Sequence, residues 1–294
     1  MTISAPRACV IGWPVRHSRS PLIHGFWLRE LGLAGSYVHA EVEPENFASF
    51  INALAENGFV GANITVPHKE AAFLLCDRHA PMAEALGAAN TLWFEGGRLC
   101  GDNTDVGGFL GNLDEAAPGW DSRVECAVVL GAGGAARAVV HALLLRGARQ
   151  CVIINRTPTR AHELRSRLGF GETGAVVVGG WGDLPQHLAK ADVIVNTTSL
   201  GMPGEPALAV DLSAAPGSAL VTDIVYVPLE TPLLAAARAR GLRTVDGLGM
   251  LLHQAVPGFE RWFGARPRVT PDLRALLIAD LDGHAAASGE RRHG

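Results

Sequence analysis

The segment 125–138 constrains the fold of this chain more than any other part of its sequence. It reads ECAVVLGAGGAARA, an apolar run followed by Gly131, Gly133 and Ala136. A G-x-G-x-x-A pattern between a strand and a helix is typical of folds that bind dinucleotides. The first glycine permits a tight turn, the second lets the backbone approach a pyrophosphate, and the small third residue lets the helix pack closely. A glycine-rich turn without a ligand is the alternative, and the flanking strand and helix favour the nucleotide site.

The remainder of the second half repeats this alternation. Further apolar runs are interpreted as strands, at 151–155, 175–179, 191–198 and 219–226. Helical stretches such as 135–146 and 158–168 separate them. Regular alternation of strands and helices predicts a doubly wound, Rossmann-type domain.

The first half also alternates strands with helices. Strands are predicted at 8–12, 36–42 and 61–66, helices at 21–31 and 43–57, and a hairpin over 91–102 that turns at Gly96 and Gly97. This order predicts a second α/β layer with a mainly parallel sheet. Two helices follow the nucleotide-binding part, one over 248–263 and one with leucines at 273, 276, 277 and 281. The predicted fold is therefore two α/β domains with a cleft between them.

Composition excludes several classes of protein. The chain has 25 basic and 29 acidic residues and a net charge of −4, which argues against a nucleic-acid partner. Its five cysteines are scattered, odd in number and without a CxxC pair. This predicts a reducing compartment, with neither disulfides nor a zinc site. We find no signal-peptide pattern, no membrane-length apolar stretch and no HExxH pattern, so we expect a cytoplasmic protein without a membrane partner or a metal.

The tip of the strand 151–155 indicates which nicotinamide cofactor binds. NAD-binding proteins usually carry an acid there for the ribose hydroxyls. This chain has Asn155, Arg156 and Thr157 instead, with Arg160 one turn further along. A guanidinium with hydroxyl and amide donors suits a 2′-phosphate, whereas an acid would repel it, so we expect NADP. Alternatively, Thr157 caps the next helix and Arg156 is a solvated charge, although capping would not exclude a phosphate contact.

Polar residues of the first half gather where strands end and helices begin. Ser18 and Ser20 precede a helix with Pro21 near its start. Two hydroxyls beside exposed helix N–H groups could bind a carboxylate, although Ser20 could equally be a simple N-cap. The run NITVPHK brings Asn63, Thr65 and Lys69 to the same edge of the sheet. A lysine in a first helical turn is not favoured by the helix dipole, so a function would explain its position.

The runs GAANT and GDNTD add Asn90, Asn103, Thr104 and Asp105. Asp105 could cap the helix that follows. With Lys69 it could also form an acid–base pair, because lysine can exchange a proton with an alcohol oxygen as a hydride moves.

Nine motifs occur in an order that resembles the shikimate dehydrogenase family, from about residue 10 to about residue 264. They are GWPVRHSRSPLIH, GANITVPHK, GAANT, GDNTDVGG, GAGGAARA, NRTPTRA, NTTSLGM, DIVY and DGLGMLLHQA. One departure is Gly25, where members of the family commonly carry Asn, and we assign this residue no contact. His17, His24 and His68 are expected to be structural, because lysine fills the acid–base role.

The resemblance implies a role for each matching residue. Lys69 would be the acid–base, oriented by Asp105. The substrate would contact Ser18, Ser20, Thr65, Asn90, Asp105, Tyr226 and Gln254. NADP would contact Gly131, Gly133, Gly134, Ala135, Asn155, Arg156, Thr157, Arg160, Thr197, Ser199, Leu200, Gly249 and Met250. Tyr226 could instead be a core residue, whereas Gln254 on an apolar helix needs polar partners.

The implied activity is the reversible reduction of 3-dehydroshikimate to shikimate by NADPH, a step of aromatic amino acid biosynthesis, by a monomer or homodimer. The alternatives are a quinate/shikimate or aminoshikimate dehydrogenase, or an NADP-binding regulatory protein that has lost its chemistry. Both Lys69 and Asp105 are present, which disfavours the regulatory protein. Because Gln254 must reach a substrate held by the serines, the predicted domains are 1–105 with 248–294 for substrate and catalysis, and 106–247 for NADP.

Overall fold

Two six-stranded sheets, each covered by helices, organise the chain. The computed structural model describes residues 5–168 and 174–290, without the side chains of 284–290. The chain divides into two compact units, Met1–Thr104 with Gln254–Gly294, and Asp105–His253. Asp105 and residues 248–253 fall in the second unit, whereas the sequence assigned them to the first domain. The predicted domain bounds stay a prediction.

The sheet of the first unit is mixed, and three of its five strand pairs are parallel, in line with the mainly parallel sheet predicted from the sequence. Its strands are β1 (Arg7–Gly12), β2 (Ser36–Glu41), β3 (Gly61–Ile64), β4 (Arg78–His79), β5 (Thr91–Glu95) and β6 (Arg98–Asp102), in the order β2-β1-β3-β5-β6-β4. The pairs β1–β2, β1–β3 and β4–β6 are parallel, whereas β5 runs antiparallel to β3 and β6. The hairpin between β5 and β6 turns at Gly96 and Gly97, whose φ angles are +58° and +77°. Two consecutive positive φ angles define the type I′ turn, which glycine adopts without strain.

The helices of this unit are α1 (Ser20–Glu30), α2 (Phe47–Asn52), α3 (Lys69–Leu75), α4 (Pro81–Leu86) and α11 (Pro271–Glu290), and α10 (Leu248–Phe263) contains residues of both units. The predicted helix over 43–57 is shorter in the structure. A 3₁₀ turn at Pro44–Asn46 precedes α2. After α2 the chain forms a tight turn in which Leu54 N donates to Ile51 O over 3.1 Å. The sequence also missed β4 and α4, which are too short to show a periodic pattern.

The sheet of the second unit is entirely parallel. Its strands are β7 (Cys126–Leu130), β8 (Gln150–Ile154), β9 (Val176–Gly179), β10 (Val193–Asn196), β11 (Leu220–Asp223) and β12 (Arg243–Val245), in the order β12-β11-β10-β7-β8-β9. Its helices are α5 (Asp105–Ala116), α6 (Gly134–Leu145), α7 (Pro158–Arg167), α8 (Leu184–Leu188) and α9 (Pro232–Ala239). This strand order is that of the doubly wound dinucleotide fold, which confirms the predicted Rossmann-type architecture.

Burial explains why these strands read as continuous apolar runs. Every residue of β7 and β10 is buried, because a parallel sheet has helices on both faces. Each fully buried Val, Leu or Ile side chain stabilises the fold by about 1.5–3 kcal/mol. Strand order reverses between β7 and β10, and ligands of such folds bind outside the carboxyl ends of the strands at this point.

Candidate active site

The two serines predicted to bind a carboxylate lie side by side at the start of α1. Ser18 Oγ donates to Ser20 Oγ over 3.2 Å, and Ser20 N donates to Ser18 Oγ over 3.3 Å. Arg19 occupies the N-cap position, and Ser20 is the first residue of the helix. Ser20 is therefore not the N-cap, and the side chain that accepts from the helix start is Ser18.

Asn90 is the centre of a buried hydrogen-bond network in the first unit. Its Oδ1 accepts from Thr91 Oγ1 at 3.0 Å, Thr104 N at 2.8 Å and Thr104 Oγ1 at 3.1 Å. Three donors on one oxygen fix which way the amide faces, because the N–H₂ end cannot accept a hydrogen bond. Asn103 Nδ2 donates to Ala88 O at 3.0 Å, which holds the adjoining loop.

Asn63 connects this network to strand β2. Its Nδ2 donates to Asn90 O and to Thr91 Oγ1, each over 3.2 Å, and its Oδ1 accepts from the hydroxyl of Tyr37 over 2.6 Å. Asn63 lies near the end of β3, as expected, and its side chain is used within the buried network. The role of Tyr37 was missed, because a tyrosine in an apolar strand has the pattern of a core residue.

Lys69 is the first residue of α3 and is half-buried. Its carbonyl accepts from Ala89 N over 2.9 Å, which ties the start of α3 to the residue before Asn90. The neighbouring His68 is buried, stacks on Phe47 and donates from Nε2 to Val42 O over 2.8 Å, as expected of a structural histidine. Thr65 is half-buried just before this helix. Lys69 and Asp105 fall in different units, so their pairing stays a prediction.

The glycine-rich turn of the second unit has the geometry that a pyrophosphate requires. Gly131 follows β7 with a φ of +112°, and a Cβ there would lie 2.7 Å from Thr197 Oγ1. Gly133 is the N-cap of α6, and no heavy atom lies within 4 Å of a Cβ placed on Gly133 or Gly134. Ala136 is fully buried against the sheet. The residues present therefore fit a dinucleotide, with open space at the helix N-terminus where phosphate charge is stabilised.

The end of β10 is held by polar residues, of which the sequence singled out Thr197 but not Asn196 or Asp223. Thr197 donates from both N and Oγ1 to Leu130 O, over 2.8 and 2.7 Å. Asn196 Nδ2 donates to Asp223 Oδ1 over 2.9 Å, and Asn196 Oδ1 accepts from Thr198 N over 3.0 Å. Through this second hydrogen bond, the buried Asn196 helps to fix the shape of the loop after β10. The same loop is predicted to line the nicotinamide pocket.

Asp223 accepts two further hydrogen bonds, from Val225 N at 2.9 Å and from Thr231 Oγ1 at 2.8 Å. Burial raises the pKa of Asp223, and its hydrogen bonds to Val225, Thr231 and Asn196 oppose that rise. The signal that could have found this network is an acid and an amide at the ends of apolar strands, since buried polar groups need partners.

The residues predicted to read the 2′-phosphate follow β8. Asn155 Nδ2 donates to Thr157 O over 2.8 Å, and Arg156, Thr157 and Arg160 are exposed. Thr157 is the N-cap residue of α7, as predicted, but its hydroxyl makes no capping hydrogen bond.

The remaining predicted residues lie at the ends of β10, β11 and in α10. Ser199 is exposed, whereas Leu200, Tyr226, Met250 and Gln254 are half-buried. A Cβ on Gly249 would collide with Oδ1 of Asn112, whose Nδ2 donates to Asp246 O over 2.7 Å. Glycine at position 249 therefore allows α10 to pass close to α5.

Three findings concern other classes of site, within residues 5–168 and 174–290. No group of three His, Cys, Asp or Glu side chains is placed to hold a metal ion. No helix of this part of the chain is long and apolar enough to cross a membrane. All five cysteines are buried free thiols.

Three family models match the chain. Residues 10–92 match the shikimate dehydrogenase substrate binding domain, residues 117–213 match shikimate / quinate 5-dehydrogenase, and residues 247–277 match the shikimate 5'-dehydrogenase C-terminal domain. The shikimate dehydrogenase (NADP(+)) of Mesorhizobium japonicum is 58% identical over 281 residues, which cover 96% of this chain and 99% of that protein.

Solved structures agree with these matches. The shikimate 5-dehydrogenase of Thermus thermophilus in complex with NADP(H) and shikimate is 35% identical, with a TM-score of 0.80 over 93% of this chain and 99% of that one. The quinate dehydrogenase of Corynebacterium glutamicum in complex with NAD is 33% identical, with a TM-score of 0.86 over 94% of this chain and 99% of that one. With a dinucleotide turn, an all-parallel sheet and relatives that match it almost end to end, this chain belongs to the shikimate dehydrogenase family.

Proposed function

We propose that this protein is an NADP-dependent shikimate dehydrogenase that reduces the 3-keto group of 3-dehydroshikimate. One observation carries the proposal: a single chain combines a dinucleotide turn at Gly131 with a buried network of hydroxyl and amide groups around Asn90. A nicotinamide cofactor and a polyhydroxylated acid are the two ligands that these sites suit. The NADP(+) enzymes of the same family match nearly the whole chain, which supports the same assignment.

The substrate is bound through its carboxylate and its ring hydroxyls. Ser18 and Ser20 donate to the carboxylate, because paired hydroxyls at a helix start suit an anion. Thr65 and Tyr226 assist at this end. Asn90, Asp105 and Gln254 take the ring hydroxyls, and the fixed orientation of the Asn90 amide makes it a directional partner.

NADP is held at the carboxyl edge of the second sheet. The contacting residues are Gly131, Gly133, Gly134, Ala135, Asn155, Arg156, Thr157, Arg160, Thr197, Ser199, Leu200, Gly249 and Met250. Arg156 and the Thr157 hydroxyl contact the 2′-phosphate, because the position where NAD enzymes carry an acid holds Asn155.

When bound, NADPH supplies the hydride, and the protein supplies the proton. Lys69 donates that proton from Nζ to the substrate oxygen, which would otherwise accumulate negative charge. Asp105 orients the ammonium and the neighbouring hydroxyl of the substrate. In the reverse direction the Lys69 amine accepts the proton from the alcohol.

Initial rates with shikimate and quinate, each with NADP and with NAD, test this assignment. Quinate has an additional hydroxyl on the ring carbon that bears the carboxylate, next to the predicted serine pair. We expect kcat/KM for shikimate with NADP to exceed that for quinate by at least about 10²-fold. Comparable values would favour a quinate/shikimate dehydrogenase, an alternative that the likeness of this chain to a quinate dehydrogenase supports. No turnover of either acid would leave the aminoshikimate enzyme or the regulatory protein.

The protein is proposed to act in the cytoplasm as a monomer or homodimer, with small-molecule partners only. Its five buried free thiols support a reducing compartment.

A further inference from the structure

One face of the edge strand β2 contacts the segment that carries the two serines. Residues at alternate positions of a strand share a face, and this face of β2 holds Tyr37, His39 and Glu41. His39 Nε2 donates to Ser18 O over 2.9 Å, and Glu41 Oε2 accepts from Arg16 Nε over 2.5 Å. Two side chains of one strand face thus hold two alternate residues of the segment 16–20.

Tyr37 fixes the buried end of the same face. Its hydroxyl donates to Asn63 Oδ1 over 2.6 Å, and its ring stacks on His24 of α1 with centroids 3.9 Å apart. Burial raises the pKa of Tyr37 well above its usual range, and a hydrogen bond with the Ser20 side chain opposes that rise. The strand is therefore anchored on the helix that begins at Ser20.

Another element of the same unit also holds this segment. Arg19, the residue between the serines, forms an ion pair with Asp280 of α11, with Nε and Oδ2 2.6 Å apart. Ser18 N donates to Val15 O over 2.9 Å. The His39 contact holds the remaining group of Ser18, its carbonyl.

The orientation of that carbonyl has a direct chemical consequence. The Ser18 carbonyl belongs to the peptide plane between Ser18 and Arg19, and peptide groups are rigid. Holding this plane restricts the ψ of Ser18 and the φ of Arg19, two of the backbone torsions that place the Ser18 and Ser20 side chains, whose oxygens lie 3.2 Å apart. Two donors held at a set spacing bind a carboxylate better than two that must first be ordered.

We infer that His39 is a positioning residue for the carboxylate site, holding the Ser18 carbonyl so that both serine hydroxyls face one anion. This inference rests on the proposed function, because it assumes that the serines bind the substrate carboxylate. His39 is not among the residues proposed to contact the substrate or NADP, and it contacts the Ser18 carbonyl, so its effect belongs to substrate affinity rather than to the chemical step.

Histidine variants of the full-length enzyme test the inference. His39→Phe retains a planar ring and removes the donor, and we expect KM for shikimate to rise about fivefold, the scale of one lost hydrogen bond, with KM for NADP unchanged. His39→Gln retains a donor of similar reach and should restore most of the affinity. His79 is the matched control, because its Nε2 also donates to a backbone carbonyl, Phe73 O at 2.7 Å, on another strand. His79→Phe should leave KM for shikimate within about twofold of the unmodified enzyme.

A double-mutant cycle with Ser18→Ala separates positioning from general loosening. If His39 acts through the Ser18 hydroxyl, His39→Phe should change KM for shikimate by less than about twofold once that hydroxyl is absent. An undiminished effect in the Ser18→Ala background, an unchanged KM in His39→Phe, or failure of His39→Gln to recover would each overturn the inference. If Ser18→Ala and Ser20→Ala themselves leave KM normal, the proposed substrate site fails instead.

Discussion

His24 and Tyr37 stack face to face, with ring centroids 3.9 Å apart and planes 8° apart. His24 is fully buried on α1, and Trp27, Phe259 and Trp262 complete the aromatic surroundings. Burial lowers the pKa of His24 to about 3. The imidazole is therefore neutral in the folded protein across the physiological range, which agrees with a structural role.

The buried His24 predicts a specific acid sensitivity of folding. Its pKa is about 3 when folded and about 6.5 when unfolded, so its contribution is complete above pH 6.5 and is lost as the pH falls toward 3. Each pH unit below 6.5 should cost about 1.4 kcal/mol of unfolding free energy. Between pH 6.5 and 5, the unmodified protein should lose about 2 kcal/mol more than His24→Phe does, measured by denaturant titration at each pH. His17→Phe, at an exposed histidine, is the control, and parallel pH profiles for the unmodified protein and His24→Phe would contradict the prediction.

Lys69→Ala should abolish most of the activity without unfolding the protein. Loss of a general acid–base lowers kcat by about 10²-fold or more. Lys69 is half-buried at the first turn of α3 and is not part of the buried core. Steady-state rates and a thermal melt measure the two effects separately. Lys190 is exposed, so Lys190→Ala should retain normal kcat. A near-normal kcat in Lys69→Ala would remove this residue from the acid–base role.

Arg156→Ala should impair NADP far more than NAD. The guanidinium is exposed, so solvent screens part of its attraction to a 2′-phosphate, and we expect KM for NADP to rise about tenfold. KM for NAD should stay within about twofold, because NAD lacks that phosphate. Arg165, in the last turn of helix α7, which begins two residues after Arg156, provides the alanine control. Equal use of NADP and NAD by the unmodified protein would refute the assigned phosphate contact.

Two glycine-to-alanine changes should have opposite effects on stability. Gly25 lies within α1, and a Cβ there would meet only Arg29 Nη1, at 3.4 Å, so Gly25→Ala should stabilise the protein by about 0.5–1 kcal/mol. Gly131 has a positive φ, and its Cβ would crowd Thr197 Oγ1 at 2.7 Å, so Gly131→Ala should cost at least about 1 kcal/mol and weaken NADP binding. Chemical denaturation and cofactor titration report both effects. If Gly25→Ala destabilises the protein instead, a local structural constraint requires glycine at this position.

Long, strongly patterned elements were predictable from the sequence. The interior residues of β7, β8 and β10 are buried on both faces, so polar residues stand only at the ends of these strands. Short elements were not predictable. β12 has only three residues and begins with exposed Arg243, so its sequence shows no strand pattern. Its pairing with β11 makes it a strand. The hairpin at Gly96 was visible because a type I′ turn selects glycine by backbone conformation alone.

The sequence by itself determined the family, through the nine motifs that resemble it. It also determined the parallel nucleotide-binding sheet and the Gly131 turn, because these two depend on local periodicity and on backbone conformations that few residues adopt. Only the tertiary structure decided how the side chains are used. It left the Thr157 hydroxyl outside the helix cap, placed Ser20 inside α1, and brought His39 to the carbonyl of Ser18, 21 residues away. Such contacts depend on the register of neighbouring strands and on the packing of a helix across them. Neither is encoded in the spacing of residues along one segment.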